Sequence, residues 1–307
     1  MTPTSGAAQR RGRFAPSPTG PLHFGSLVAA VGSFADIRAT GGTWLVRMED
    51  LDRTREVPGA ADEILRTLDA FGLSWDGAVL YQSRRTDAYA MALKQLATRG
   101  FAYPCGCTRR EIALHGRPGP EGPVYPGTCR DGLPPGRAAR SVRLHVGSAR
   151  IGFTDAIQGQ QDQDLAAAVG DFVLRRADGI HAYQLAVVVD DAEQGITDVV
   201  RGADLLSSTP RQILLQRHLG LPKPAYAHLP LAVDAAGRKL SKSLTALPVD
   251  RSDPLPALLA AWRFLGQPEP SERPYDVTGF WTWALANWHR SRVPARPSRP
   301  SAEAVLA

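Results

Sequence analysis

The chain has 307 residues, 43% of them hydrophobic and 21% charged, enough for one large or two modest domains with a sizeable core. A net charge of +6 suits a polyanionic partner without naming one, and much of it is Arg in the tails: Arg10, Arg11, Arg13, Arg290, Arg292, Arg296 and Arg299. Residues 1–13 carry no apolar stretch of a secretory signal and no run approaches the ~20 apolar residues of a bilayer span, so a cytoplasmic location without membrane contact is expected.

Residues 10–15 read as a short strand that enters a Pro-rich turn. A helix over 22–39 follows, with Leu27, Val31 and Phe34 at helical spacing and Gly41-Gly42 at its end. Residues 43–48 read as a strand with Glu49-Asp50 at its carboxyl end. Strand, helix and strand open a parallel α/β sheet. Ligands of such sheets bind at the carboxyl ends of the strands, where residues 23–26 and Glu49 lie. Two amphipathic helices follow over 60–71 and 86–99. From Pro104 to Gly136 periodicity vanishes among Pro, Gly and three cysteines, which marks an inserted module extending through strands at 141–146 and 151–156. The sheet is expected to resume near Asp171. Residues 182–189 are apolar and buried, 196–200 form a strand, and 209–219 form a helix with Pro210 at an early position. Helical stretches at 255–265 and 278–289 precede an Arg/Pro/Ser-rich tail, from Arg290, that is expected to be mobile.

Two separated segments carry the chemistry. The first is Arg13-Phe-Ala-Pro-Ser-Pro-Thr-Gly-Pro-Leu-His23-Phe-Gly25-Ser26. His23 and Ser26 share a face at a helix start, where unpaired N–H groups and a partial positive charge favour phosphate. Gly25 lets an adenine ring approach the backbone. The second is Lys239-Leu-Ser241-Lys242-Ser243. Its ammonium groups, Lys242 above all, suit a phosphorus passing through a five-coordinate state; losing one such charge costs about 10²–10³ in rate.

Together these segments resemble the two ATP-binding signatures of class I aminoacyl-tRNA synthetases. The opening Arg13-Phe-Ala-Pro-Ser-Pro-Thr-Gly and the segment Leu45-Val-Arg-Met-Glu49-Asp-Leu-Asp-Arg-Thr-Arg55 are similar to the glutamate/glutamine branch. The resemblance implies a Rossmann-type parallel sheet with an inserted zinc-containing module and a short α-helical C-terminal part. The first half of the catalytic domain would span 1–103, the module 104–170, the second half 171–250 and the helical extension 251–307. It implies ATP contacts from Pro16, His23, Gly25, Ser26, Lys239, Ser241 and Lys242, with His23 and Lys242 catalytic and ATP entering with Mg²⁺. It implies glutamate contacts from Arg13, Ala15, Ser17, Glu49, Tyr183 and Arg201, Glu49 facing the α-ammonium and the two guanidiniums matching carboxylates.

Cysteine count and clustering point the same way. Three thiols at Cys105, Cys107 and Cys129, an odd number, argue against a disulfide framework and for a metal. Tetrahedral Zn²⁺ wants a fourth ligand, for which His115 is the conventional candidate; the resemblance favours Tyr125, through its Cys-x-Cys…Tyr-x-x-x-Cys pattern. The site would be structural, with one zinc per chain. Residues 244–307 are too few for a separate anticodon-reading domain, and the sequence reads His-Phe-Gly-Ser in place of His-Ile-Gly-His. Both features resemble a truncated branch that activates L-glutamate without tRNA and esterifies queuosine in the anticodon stem-loop of tRNA(Asp). The alternative is a truncated glutamyl-tRNA synthetase charging the tRNA 3′ end. A monomer is expected.

Overall fold

The computed structural model describes residues 9–234, 237 and 247–300. Strand β1 (Arg11–Phe14) leads through the proline turn into α1 (Phe24–Arg38), and β2 (Thr43–Met48) follows. Next come α2 (Ala60–Ala70), β3 (Leu80–Tyr81), α3 (Thr86–Thr98), β4 (Ala102–Cys105) and α4 (Arg109–His115). Strands β5 (Ser141–Leu144), β6 (Arg150–Asp155) and β7 (Gly159–Asp164) precede the short α5 (Leu165–Ala168) and β8 (Val173–Arg175). The chain continues through α6 (Tyr183–Glu193), β9 (Asp198–Gly202), α7 (Thr209–Leu219), β10 (Ala225–Leu229) and β11 (Leu231–Val233). It closes with α8 (Pro254–Phe264), α9 (Val277–Ala286) and β12 (Ser298–Pro300).

Parallel pairing builds the central layer. β1 pairs β2 from Arg11↔Thr43 to Phe14↔Val46, and β2 pairs β3. On the other side β9 runs beside β1, with the Thr197 N–H donating to the Arg11 carbonyl at 2.9 Å. β9 pairs β10, and β10 meets β6 at Tyr226↔Asp155. Antiparallel β7 edges that side. The reversal of strand order between β1 and β9 puts a crevice over the carboxyl ends of these strands, the ligand position of open α/β sheets.

Helix α1 is buried along nearly its whole length, from Leu27 to Ile37. It lies close on the sheet because Gly32 has no side chain: a Cβ there would stand 2.6 Å from Leu229 Cδ1. On its outer side α8 and α9 close the core with Trp262, Phe280 and Trp281, the last donating its indole N–H to the Phe71 carbonyl at 2.8 Å.

Two expectations are corrected. The strand near Asp171 does not resume the parallel sheet: β8 pairs antiparallel with β5, which pairs β4, in a separate three-stranded sheet. The parallel sheet continues with β9, because the apolar stretch at 182–189 forms α6 and carries the chain back across. The tail from Arg290 is not mobile through Pro300. Arg290 pairs with buried Asp36 at 2.5 Å, β12 pairs β11, and Arg299 donates to the Phe264 carbonyl at 2.5 Å. Arg10 joins Asp36 and Asp198, so the segments around Arg10 and Arg290 meet on the same acids.

Candidate active site

A cavity of about 840 Å³ opens over the carboxyl ends of β1, β2 and β10. Ala15, Pro16, Ser17, His23, Gly25, Ser26, Glu49 and Tyr183 line it, which brings together most of the sequence-predicted site. Lys239, Ser241 and Lys242 lie outside the described residues. Both flanks of their segment border the cavity region. Leu231 and Ala232 line the wall on one side. On the other, Pro248 bridges His23 and the Val249 N–H donates to the Leu22 carbonyl at 3.0 Å.

The start of α1 is built as a capping box. His23 Nδ1 accepts from the Ser26 N–H at 3.3 Å, and Ser26 Oγ accepts from the His23 N–H at 3.0 Å. Nδ1 of the imidazole is thereby held within the turn. Ser26 Oγ also donates to the His23 carbonyl at 3.0 Å, so its hydroxyl holds the turn. At Gly25 a Cβ would crowd the His23 ring at 3.1 Å, so the glycine makes room for the imidazole itself.

Beneath Glu49 lies a buried ionic network. Arg13 and Arg47 both grip Asp191, at 3.0 and 2.7 Å, and Arg47 stands 3.8 Å from Glu49. Burial opposes the Asp191 charge, but the two guanidiniums outweigh it and hold its carboxyl below the usual range. Burial dominates at Glu49: despite Arg47 and Arg13, its carboxyl is pushed up to about 7. Arg13 is thus tied to an acid. Arg201 lies behind Tyr183, with Nη1 donating to the Tyr183 hydroxyl at 3.3 Å and Nη2 to Gln212 Oε1 at 2.8 Å. Sequence reasoning missed Arg47, Asp191, Gln212, Asp155 and His228 as parts of this scaffold. The acids Asp190-Asp191 at the end of an apolar run were the signal for Asp191, since acids are seldom buried unless paired.

The cysteine cluster sits in the insert, away from the cavity. The thiols of Cys105, Cys107 and Cys129 lie within 4.8 Å of one another, and His115 is not in the group. The Tyr125 hydroxyl is 3.4 Å from Cys105 Sγ and 3.7 Å from Cys107 Sγ. In a tetrahedron with Zn–S of about 2.3 Å, neighbouring sulfurs stand about 3.8 Å apart; Cys107 and Cys129 are 3.6 Å apart. The donor set fits Zn²⁺ in size and softness. Arg143 donates to Cys105 Sγ at 3.3 Å and its guanidinium lies 4.0 Å over the Tyr125 ring, which offsets thiolate charge. Burial raises the Cys105 thiol, yet hydrogen bonding with Tyr125, the Cys107 backbone and Arg143 brings it down to about 7.

Comparison with known proteins agrees with this architecture. Residues 9–257 match the catalytic domain of class I tRNA synthetases (E and Q). A glutamyl-Q tRNA(Asp) synthetase of Chromobacterium violaceum is 57% identical over 287 residues, 94% of this chain and 96% of that one. That of Dechloromonas aromatica is 60% identical over 294 residues, 92% and 95% of the two chains. In shape the chain is similar to a crystal structure of a glutamate tRNA ligase from Elizabethkingia meningosepticum in complex with its amino acid. The TM-score is 0.80 at 25% identity, covering 96% of this chain and 68% of that one. Fold, cavity and sequence relatives converge: this chain belongs to the class I tRNA synthetases of the E and Q type, and within them to the glutamyl-Q tRNA(Asp) synthetase family.

Proposed function

We propose that the cavity activates L-glutamate with ATP, without tRNA, and that the glutamyl group then passes to queuosine in the anticodon loop of tRNA(Asp). In the first step a glutamate carboxylate oxygen attacks the α-phosphorus of ATP. The bond to the β-phosphate oxygen breaks and pyrophosphate leaves. In the second, a hydroxyl of the queuosine cyclopentenediol attacks the glutamyl carbonyl, AMP leaves and the hydroxyl proton goes to solvent. Neither step needs a protein nucleophile; positioning and charge supply the catalysis.

His23 Nε2 and the N–H groups at the start of α1 hold phosphate oxygens, and Lys242 neutralises the five-coordinate phosphorus. Pro16, Gly25, Ser26, Lys239 and Ser241 complete the nucleotide contacts, and Mg²⁺ enters with ATP. Glu49 receives the α-ammonium. Ala15, Ser17, Tyr183, Arg13 and Arg201 shape the rest of the glutamate site. Cys105, Cys107, Tyr125 and Cys129 would hold one zinc, which ties together an insert whose small core is Cys105, Tyr125 and Cys129 with Tyr103, Ile112 and Leu133 around it.

The observation that carries this reading is the meeting of Glu49 and Tyr183 with His23 and Ser26 in one cavity, in a chain that matches glutamyl-Q tRNA(Asp) synthetases over nearly its whole length. Nucleoside mass spectrometry of tRNA(Asp) after incubation with protein, glutamate and ATP tests it. Glutamylated queuosine is expected. Glutamate on a periodate-sensitive terminal adenosine instead would mean 3′-end charging.

A further inference from the structure

Arg201 is buried, yet none of its hydrogen-bond partners is an acid. Its Nε–H donates to His228 Nε2 at 3.1 Å, Nη2 to Thr209 Oγ1 at 3.0 Å and to Gln212 Oε1 at 2.8 Å, and Nη1 to the Tyr183 hydroxyl on the cavity wall. Arg13, by contrast, has Asp191. A buried cation held by neutral groups is arranged for an anion that arrives from outside. Glu49, across the site, acts on it by charge alone, and along its hydrogen bonds the first acid is one step removed. Asp155 accepts from His228 Nδ1 at 2.6 Å, and both side chains are fully buried.

The tautomer follows from the donors. An arginine Nε–H can only donate, so His228 Nε2 carries no proton, and the Nδ1–H goes to Asp155. Asp155 is itself fixed by the backbone N–H groups of Ile157, Gln158 and His228. Burial and the neighbouring Arg201 hold the imidazole below its ordinary value, against the pull of Asp155.

Resting on the proposed glutamate reading, we propose that His228, locked in one tautomer by Asp155, is a positioning residue. It fixes the plane of Arg201 so that the guanidinium meets a substrate carboxylate and discriminates glutamate from its uncharged amide, glutamine. Thr209 and Gln212 clamp the far edge, so removing the His228 acceptor lets the plane tilt about them.

Two substitutions separate the halves of the ring. In His228→Gln the amide oxygen can replace Nε2 as acceptor for Arg201. In His228→Asn only the Nδ1 side toward Asp155 is replaced. In ATP–pyrophosphate exchange, His228→Asn should raise the glutamate KM by about 10- to 100-fold, leave the ATP KM within about twofold and lower the preference for glutamate over glutamine. His228→Gln should stay within about threefold of wild type on each count. An unchanged glutamate KM in His228→Asn, equal rises in both KM values, or a His228→Gln variant as impaired as His228→Asn would overturn the assignment. ¹⁵N imidazole spectra of the unsubstituted protein test it without any variant: an unprotonated Nε2 is expected, and an Nε2–H would overturn it. An unsubstituted protein with no glutamate-dependent exchange would instead overturn the underlying reading, and this assignment with it.

Discussion

Glu49→Gln tests the ammonium-binding role through pH as well as affinity. Burial, opposed by Arg47 and Arg13, lifts the Glu49 carboxyl to about 7. Such a group is about one-tenth ionised at pH 6 and about nine-tenths at pH 8, and only the ionised form attracts an ammonium. The glutamate KM should therefore rise about ninefold between pH 8 and pH 6. The ATP KM serves as the control. In Glu49→Gln the glutamate KM should stand about 10- to 100-fold above wild type at pH 8, the worth of one charged hydrogen bond, and stay flat with pH. Glutamate-dependent ATP–pyrophosphate exchange from pH 6 to 8.5 reads both. Stability gives an independent check. The folded value lies above the unfolded 4.5, so the fold disfavours the ionised carboxylate. That cost is absent below about pH 4.5, grows as pH rises and is complete above about pH 7, where it reaches about 3 kcal/mol. Gln carries no charge, so the variant should gain stability over wild type across that window in urea unfolding. Equal KM slopes in both proteins, or no stability gain at pH 8, would refute the reasoning.

Lys242→Ala should slow exchange by about 10²–10³ with an unchanged melting temperature; unaltered exchange would remove its role. Metal analysis should find one zinc per chain, lost with Cys107→Ser. Tyr125→Phe should make the metal easier to strip with a chelator while His115→Ala does not, and the reverse would make His115 the ligand. Asp36→Ala removes the acid that Arg10, Arg290 and the Trp288 indole N–H share, leaving Asp198 as the arginines' remaining carboxylate, and should cost about 1–3 kcal/mol in urea unfolding. Arg290 and Arg10 outweigh burial and hold the Asp36 carboxyl below its usual value. Its contribution is therefore complete above about pH 4 and fades as pH falls through the lowered value, so the wild-type advantage over the variant should shrink in acid.

Local physics made much of this chain legible from its residues alone. The strand at Thr43–Met48 follows the Gly41-Gly42 helix stop, and the helix at Thr209–Leu219 starts where early Pro210 puts it. His23, Ser26 and Glu49 could be placed at one crevice because a strand–helix–strand unit in a parallel sheet has only one carboxyl end. Tertiary structure decided what depends on partners distant in sequence. A three-residue strand such as Val173–Arg175 carries no mark of which sheet it joins; pairing with Ser141–Leu144 settles that. The tail from Arg290 reads as solvated until Asp36 is found buried beneath it. Asp191 and His228 show their work only when folding sets them against Arg13, Arg47 and Arg201, since a buried charge owes its state to the groups that replace water around it.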